Sequence, residues 1–245
     1  MNHKKSIPDI FTKQTMDFVF KHIEPKGLRI LEVGCGTGAF GAELMKTGAT
    51  VTALDSDQKA IDSAISKGLN AKHVDFLSYQ DDPFDVIIFT RSLHHIHRLK
   101  DALQHSASLL KREGKLMLEE FDLEHIDYGT VRWYYDIISV ISEAGLVEGG
   151  NSGYVEEPLE QWEHDHEHEH SLNTGKEMIN GVHEYFKIMN MERGAYLYRS
   201  ICGPIVDREN GYDFTRKILE IENRLIHNKL ILPVGLRIVA EKQQD

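Results

Sequence analysis

The densest chemistry in the chain lies in the run Leu31-Glu32-Val33-Gly34-Cys35-Gly36-Thr37-Gly38, which continues into Ala39 and Phe40. A glycine turn fed by an apolar strand and opening a helix brings backbone N–H groups against a ligand. Glycine is required because a side chain would block the approach or forbid the dihedral angles. Read as G-x-G-x-x-A, ending at Ala39, the loop also fits a dinucleotide fingerprint. Two details point away from that. Glu32 lies two residues before the first glycine, and a carboxylate there repels a pyrophosphate and attracts an ammonium or sulfonium. The third glycine is Gly38 rather than residue 39. Both favour a sulfonium cofactor carrying an amino acid. Asp55 ends the next apolar run, where nucleoside folds keep the acid that accepts from ribose hydroxyls. The competing role for Asp55 is to cap the following helix.

These residues need elements to hold them. LRILEV (28–33), TVTALD (50–55), a brief strand within NAKHVDF, FDVIIF (84–89) and KLMLEEF (115–121) read as buried strands. Helices are expected from position 7 to 23, from the glycine turn to about 46, near 57–67 and over 99–111, with a turn at Gly114. Farther on, 130–145 reads as an aromatic-rich helix. Thr174 and Glu177 form a capping-box pattern for a helix to Tyr185. FKIMNM reads as a sixth strand, 212–228 as a helix and LPVGLRIVAEK as a closing strand. Strand–helix alternation with short breakers implies a doubly wound, mainly parallel seven-stranded α/β sheet. The expected organisation is a single domain over 1–245. Within it, 28–122 is the cofactor-binding core, 123–173 an insertion or substrate lid, and 174–245 the part completing the sheet.

Across about Leu28 to Asp122 the chain resembles the class I S-adenosylmethionine-dependent methyltransferase superfamily, of the small-molecule type. LEVGCGTG resembles its motif I, ALD at 53–55 its motif II, and HVDF at 73–76 its motif III. FDVIIFTRSLHHI resembles motif IV, and LLKREGKLMLEE the helix and strand that follow. The resemblance implies S-adenosylmethionine as cofactor. Gly34, Cys35, Gly36 and Gly38 would shape its pocket, with Glu32 beneath, meeting the amino group directly or through water. Asp55 would hold the ribose, with Ser56 beside it. Asp75 would meet the adenine amino group, Phe76 flank the ring, and Thr90 line the methionine end. No base stands beside Cys35 in sequence, so it is not expected to act as a nucleophile.

Methyl transfer from a sulfonium gains most from alignment, and a base matters only when the acceptor must lose a proton. The candidate bases are His94 and His95, on the loop after the fourth strand, with Glu119 and Glu120 on the same rim. One histidine packing the loop while the other is solvated is the alternative. The run from Glu163 to His170 alternates acid and histidine. If extended, it would put its histidines on one face, as a substrate lid, a metal site or neither. His166 and His168 are the candidate substrate contacts there, and no metal is assigned. In AYLYRS, Tyr196, Tyr198 and Arg199 are candidates for an acceptor wall, or for packing on the sheet. Trp133, Tyr134 and Tyr135 are expected to pack in the core.

The whole chain sets limits on partners. A net charge of −11 repels polyphosphate backbones, which favours a small-molecule acceptor over nucleic acid. No apolar run approaches the ~18 residues of a membrane span, and the N-terminus lacks a signal-like apolar stretch. With only Cys35 and Cys202 for thiols, a cytoplasmic setting is expected. Oligomeric state is left open. The rival functions are an NAD-type oxidoreductase and a non-catalytic S-adenosylmethionine-binding protein.

Overall fold

Apolar residues alternate along each central strand, and that alternation sorts the core onto two faces. The computed structural model describes residues 6–147, 155–167, 172–205 and 210–243. The strands are β1 (Arg29–Val33), β2 (Thr50–Asp55), β3 (Asn70–His73), β4 (Phe84–Thr90), β5 (Leu110–Phe121), β6 (Phe186–Gly194) and β7 (Gly235–Lys242). They form one seven-stranded sheet in the order β3-β2-β1-β4-β5-β7-β6. Neighbours from β3 to β5 are parallel, and the sheet becomes mixed toward its far edge.

Helices α1 (Ile7–His22), α2 (Ala39–Met45), α3 (Gln58–Ser66) and α4 (Leu99–Leu109) accompany the first five strands. After β5 come α5 (Tyr128–Glu143), α6 (Pro158–Asp165) and α7 (Gly175–Tyr185). Between β6 and β7 lie α8 (Leu197–Cys202) and α9 (Gly211–His227). On one sheet face Leu31, Val33, Ile87, Phe89, Leu116 and Leu118 pack with Ala102 and Leu103 of α4 and Met178 and Val182 of α7. On the other, Ile30, Val51, Val86, Ile88 and Met117 pack with Val19, Leu44 and Ile61 from the first three helices. Because successive side chains of a strand point to opposite faces, Glu32 shares the face of Ile30, under α2.

Two compact units divide the described residues. One, which carries the sheet, takes in 12–121, 172–192 and 236–243. The other takes in 6–11, 122–147, 155–167, 193–205 and 210–235. Within the second unit α9 supports α8. Buried Glu222 accepts from the backbone N–H groups of Tyr196, Leu197 and Tyr198 at 2.7–2.9 Å. Three donors that open a short helix are thereby satisfied by one side chain.

Three local readings change. The fifth strand begins at Leu110, not Lys115, and the pairing with β4 jumps from Phe84↔Leu110 to Val86↔Lys115. The expected turn at Gly114 is therefore a bulge inside the strand. A Cβ at Gly114 would stand 2.9 Å from Leu110 Cδ2, a space that only glycine leaves open. AYLYRS, considered for an acceptor wall or for packing on the sheet, carries α8. The aperiodic stretch before Thr174 contains α6, opened by Pro158 at its first turn. The capping box at Thr174 and Glu177 is present in full.

Candidate functional site

At β1 the connections turn from one side of the sheet to the other: β2 and β3 lie to one side, β4 and β5 to the other. Ligands of open α/β sheets bind outside the strand ends at such a point. A cavity of about 640 Å³ opens there. Gly34, Gly36, Asp55, Ser56, Asp75 and Phe76 line it, joined from the β4–α4 loop by Arg91, Ser92, His95, Ile96, His97 and Arg98.

The glycine loop is braced by backbone and by one acid. Gly34 and Cys35 N–H both donate to the Leu54 carbonyl, at 2.8 and 2.9 Å. Gly36 N–H donates to Asp55 Oδ2 at 2.8 Å, and Asp57 N–H to Asp55 Oδ1 at 2.9 Å. The cap of α3 is Asp57, whose side chain accepts from Lys59 N–H, so the capping role considered for Asp55 falls two residues later. Gly34 and Gly36 have φ of 72° and 51°, left-handed values that L side chains rarely adopt. A Cβ at Gly34 would lie 2.3 Å from Ser92 Cβ, whereas one at Gly36 would meet nothing within 4 Å. Gly34 is thus needed for packing, and Gly36 leaves open space in a cavity wall.

Glu32 does not line the cavity. Its face of the sheet places it beneath α2, where it is 1% exposed and its Oε2 has no partner. Burial, chiefly, together with the nearby Asp55 charge, pushes its pKa up to about 8, against the pull of Arg91 and the Gly41 backbone. A Cβ at Gly41 would stand 2.4 Å from Oε2. Glycine at the first turn of α2 is therefore what gives this carboxylate room. Gly38 packs against Ala64 and Leu69, and Thr90 is buried at the end of β4; neither reaches the cavity. Cys35 is buried, and desolvation pushes its thiol up to about 12, which removes it as a nucleophile at neutral pH.

Asp75 both caps and lines. Its Oδ1 accepts from Leu77 N–H to start a 3-10 turn at 76–78. Phe76 is anchored edge-on to Phe89 at 5.4 Å and to His105 at 5.1 Å between ring centroids.

The two histidines lie ring against ring, their centroids 4.0 Å apart, but in different surroundings. His95 is on the cavity wall. His94 is buried, its Nδ1 2.7 Å from Glu120 Oε2. Glu120 Oε1 accepts from Ser92 and Leu93 N–H at 2.9 and 2.8 Å, so one buried carboxylate holds the start of the loop. Glu119, one residue earlier and on the opposite face, takes the hydroxyl of Thr15 and the guanidinium groups of Arg91 and Arg237. Sequence reasoning missed Gly41, Asn173 and Arg91. Asn173 Nδ2 donates to the carbonyl of Ile96 at 2.8 Å and to those of Leu93 and His94 at 3.3 Å. Only the unusual density of basic residues in 91–98 could have flagged Arg91; nothing in the sequence flags the other two.

The remaining candidates lie elsewhere. Tyr198 and Arg199 are buried, the guanidinium 5.1 Å from the Phe11 ring centroid and donating to the Phe11 carbonyl. Tyr196 stands just before α8 and is half-buried. His166 packs on Trp162, its ring centroid 3.9 Å away, with Nδ1 2.8 Å from the Trp162 carbonyl. His164 falls in α6, so the extended histidine face does not form over the described residues, and His168 lies outside them. Tyr135 is buried and donates to Asp165 at 2.7 Å; Trp133 and Tyr134 are half-buried. Among the described residues no group of three or more His, Cys, Asp or Glu could hold a metal ion, and no helix is long and apolar enough to cross a membrane.

A glycine-turned cleft lies at the switch point, with an acid closing β2 and a buried carboxyl in β1 beneath the loop. A family model described as a methyltransferase domain matches residues 9–180, and the chain belongs to that family, whose methyl donor is S-adenosylmethionine. The ubiquinone biosynthesis O-methyltransferase of Xanthomonas axonopodis pv. citri is 30% identical over 112 residues, 42% of this chain and 47% of that protein. The Coxiella burnetii protein of the same name is 25% identical over 159 residues, 60% of this chain and 66% of that one. These matches thus span about half to two thirds of the curated relatives. In fold, the chain is similar to an S-adenosylmethionine-dependent methyltransferase from Mesorhizobium loti. The TM-score is 0.58 at 17% identity, over 93% of this chain and 96% of that one.

Proposed function

We propose that this chain transfers the methyl group of S-adenosylmethionine to a small-molecule acceptor, in the cytoplasm. The observation that carries the reading is Glu32: a buried carboxylate with an unpartnered oxygen, beside a glycine loop that leaves open space at Gly36. When bound, the cofactor supplies an electrophilic methyl group on a sulfonium. Glu32, whose carboxyl burial pushes up to about 8, would give up its proton beside the ammonium end and balance it from beneath the loop. Asp55 keeps lone pairs for ribose hydroxyls on oxygens already oriented by Gly36 and Asp57, and Ser56 lies beside it. Asp75 offers its second oxygen to an adenine amino group, with Phe76 supplying an apolar flank. Gly34 lines the cavity beside Gly36, and Cys35, Gly38 and Thr90 shape the loop from behind. His95, on the cavity wall, is placed to take a proton from an acceptor, while His94 holds the loop through Glu120. The O-methylation named for the Xanthomonas relative makes oxygen the first acceptor atom to assay. Two free, buried cysteines support the cytoplasmic assignment.

A ligand held only by the native state stabilises it by ~2.7 kcal/mol at 100-fold excess over its dissociation constant. S-adenosylhomocysteine is expected to raise the melting temperature and NADH to leave it unchanged. Asp55→Ala should abolish the shift while the circular dichroism spectrum stays native. Stabilisation by NADH alone would replace this reading with the oxidoreductase one.

A further inference from the structure

Basic side chains crowd one short loop of an otherwise acidic chain. The run Arg91-Ser92-Leu93-His94-His95-Ile96-His97-Arg98 places five basic residues among eight, in a chain of net charge −11. Four of them, Arg91, His95, His97 and Arg98, line the cavity. The other wall, from the ends of β2 and β3, contributes Asp55 and Asp75. The sheet order sets the glycine loop of β1 between these walls. At ~4.8 Å per strand, β3 and β4 stand roughly 14 Å apart. The cavity is therefore acidic at one end and basic at the other.

The counter-charges do not cancel the basic end. Arg91 meets Glu119 at 2.9 Å, but Glu119 is shared with Arg237 at 2.7 Å. Arg237 also lies 3.9 Å from Glu192, which Lys21 pairs at 2.5 Å. Among the described residues Arg91 therefore shares Glu119 with Arg237, and Arg237 and Lys21 share Glu192, so no carboxylate belongs to Arg91 by itself. Arg98 is paired with Asp101, yet both side chains are largely exposed. Such an exposed pair contributes little to stability, so Arg98 can turn to a ligand at little cost. The sixth acid nearby, Glu120, is spent on His94 and the loop backbone. Arg91 also holds a φ of 58°, a left-handed conformation that non-glycine residues rarely adopt. Strain of that kind persists where the surroundings fix it, often at ligand clamps. Here the Arg91 N–H is tied to the Glu119 carbonyl at 2.7 Å.

Resting on the methyltransferase reading above, we propose that the basic wall seats the methyl acceptor, and that this acceptor is an anion carrying a carboxylate or a phosphate. The acidic wall takes the cofactor's hydroxyls and amino group. The guanidinium groups of Arg91 and Arg98, with the imidazole of His97, take the acceptor's charge, and His95 is left to take its proton. Planar guanidinium forks match both kinds of oxyanion.

The test is calorimetric and uses three small probes of one shape: benzoate, phenyl phosphate and benzamide. The protein is first titrated with S-adenosylhomocysteine, and each probe is then titrated into the saturated complex. The expected result is saturable binding of an anionic probe at least tenfold tighter than benzamide; the tighter of the two anions names the acceptor's group. A double variant, His97→Gln with Arg98→Gln, should lose about tenfold in anion affinity while binding S-adenosylhomocysteine as before. Both positions are exposed, so the fold is not at risk. Equal binding of benzamide, or no saturable anion binding, would overturn the proposal. So would anions that displace S-adenosylhomocysteine, since the basic wall would then be serving the cofactor's own carboxylate. Failure of S-adenosylhomocysteine to bind would overturn the functional reading and this inference together, and the first titration reads that separately.

Discussion

Glu32 shows how one residue can be right in kind and unexpected in place. Its carboxyl was legible as a partner for a cation, but its position in β1 points it under α2, where it keeps a proton near pH 7. Its pKa stands at about 8 against an ordinary 4.5, so the folded state binds a proton that the unfolded chain releases. Stability from this group is fully present below about pH 4 and is lost as pH rises toward 8. Glu222, pushed up to about 7 mainly by burial, acts in the same direction. Glu32→Gln cannot ionise. Its stability in urea should therefore gain on the parent protein between pH 5 and pH 9, by on the order of a few kcal/mol. A constant difference across that range would contradict the assignment. The neighbouring glycine offers a second check. Gly41→Ala improves helix propensity by ~1 kcal/mol, yet its methyl group would meet Glu32 Oε2 at 2.4 Å. A net loss of ~1–3 kcal/mol is expected, with weaker S-adenosylhomocysteine affinity; a stabilised variant would show that the carboxylate can move aside.

Elements in this protein are held by side chains from distant parts of the sequence as much as by local signals. Helix α7 begins with a reciprocal cap between Thr174 and Glu177, legible because both partners lie within four residues. Helix α8 is capped by Glu222, more than twenty residues away in α9, and its own N-terminal residue makes no side-chain cap. These two devices predict different costs. Thr174→Ala should lose ~1 kcal/mol, since the exposed end of α7 can turn to water. Glu222→Ala strands three N–H groups, two of whose bonds are buried, and should lose more than ~3 kcal/mol. Urea denaturation of the two variants checks the order; equal losses would mean that α8 finds other acceptors. The β4–α4 loop follows the same logic, held by Glu120 from β5 and by Asn173 before α7.

At the scale of the whole molecule, a net charge of −11 should draw in a cationic cofactor. S-adenosylmethionine carries one more positive charge than S-adenosylhomocysteine, so its association rate should fall more steeply as salt is raised. Stopped-flow traces at two ionic strengths test this, and identical salt slopes would argue against long-range steering. What the sequence determined by itself is whatever depends on neighbours along the chain: the alternation of strand and helix, the glycine turn, Asp55 at a strand end and the cap at Thr174. Each is a matter of local dihedral preference or short-range periodicity, visible within a few residues. The tertiary structure alone decided which of these groups meet. It sent Glu119 and Glu120 to opposite faces of the sheet, buried His94 while leaving the His95 ring against it on the cavity wall, and buried Tyr198 and Arg199. It also gathered four basic side chains on one wall of the cavity. Those outcomes depend on strand order and on contacts between residues as many as 188 positions apart, which no window of sequence contains.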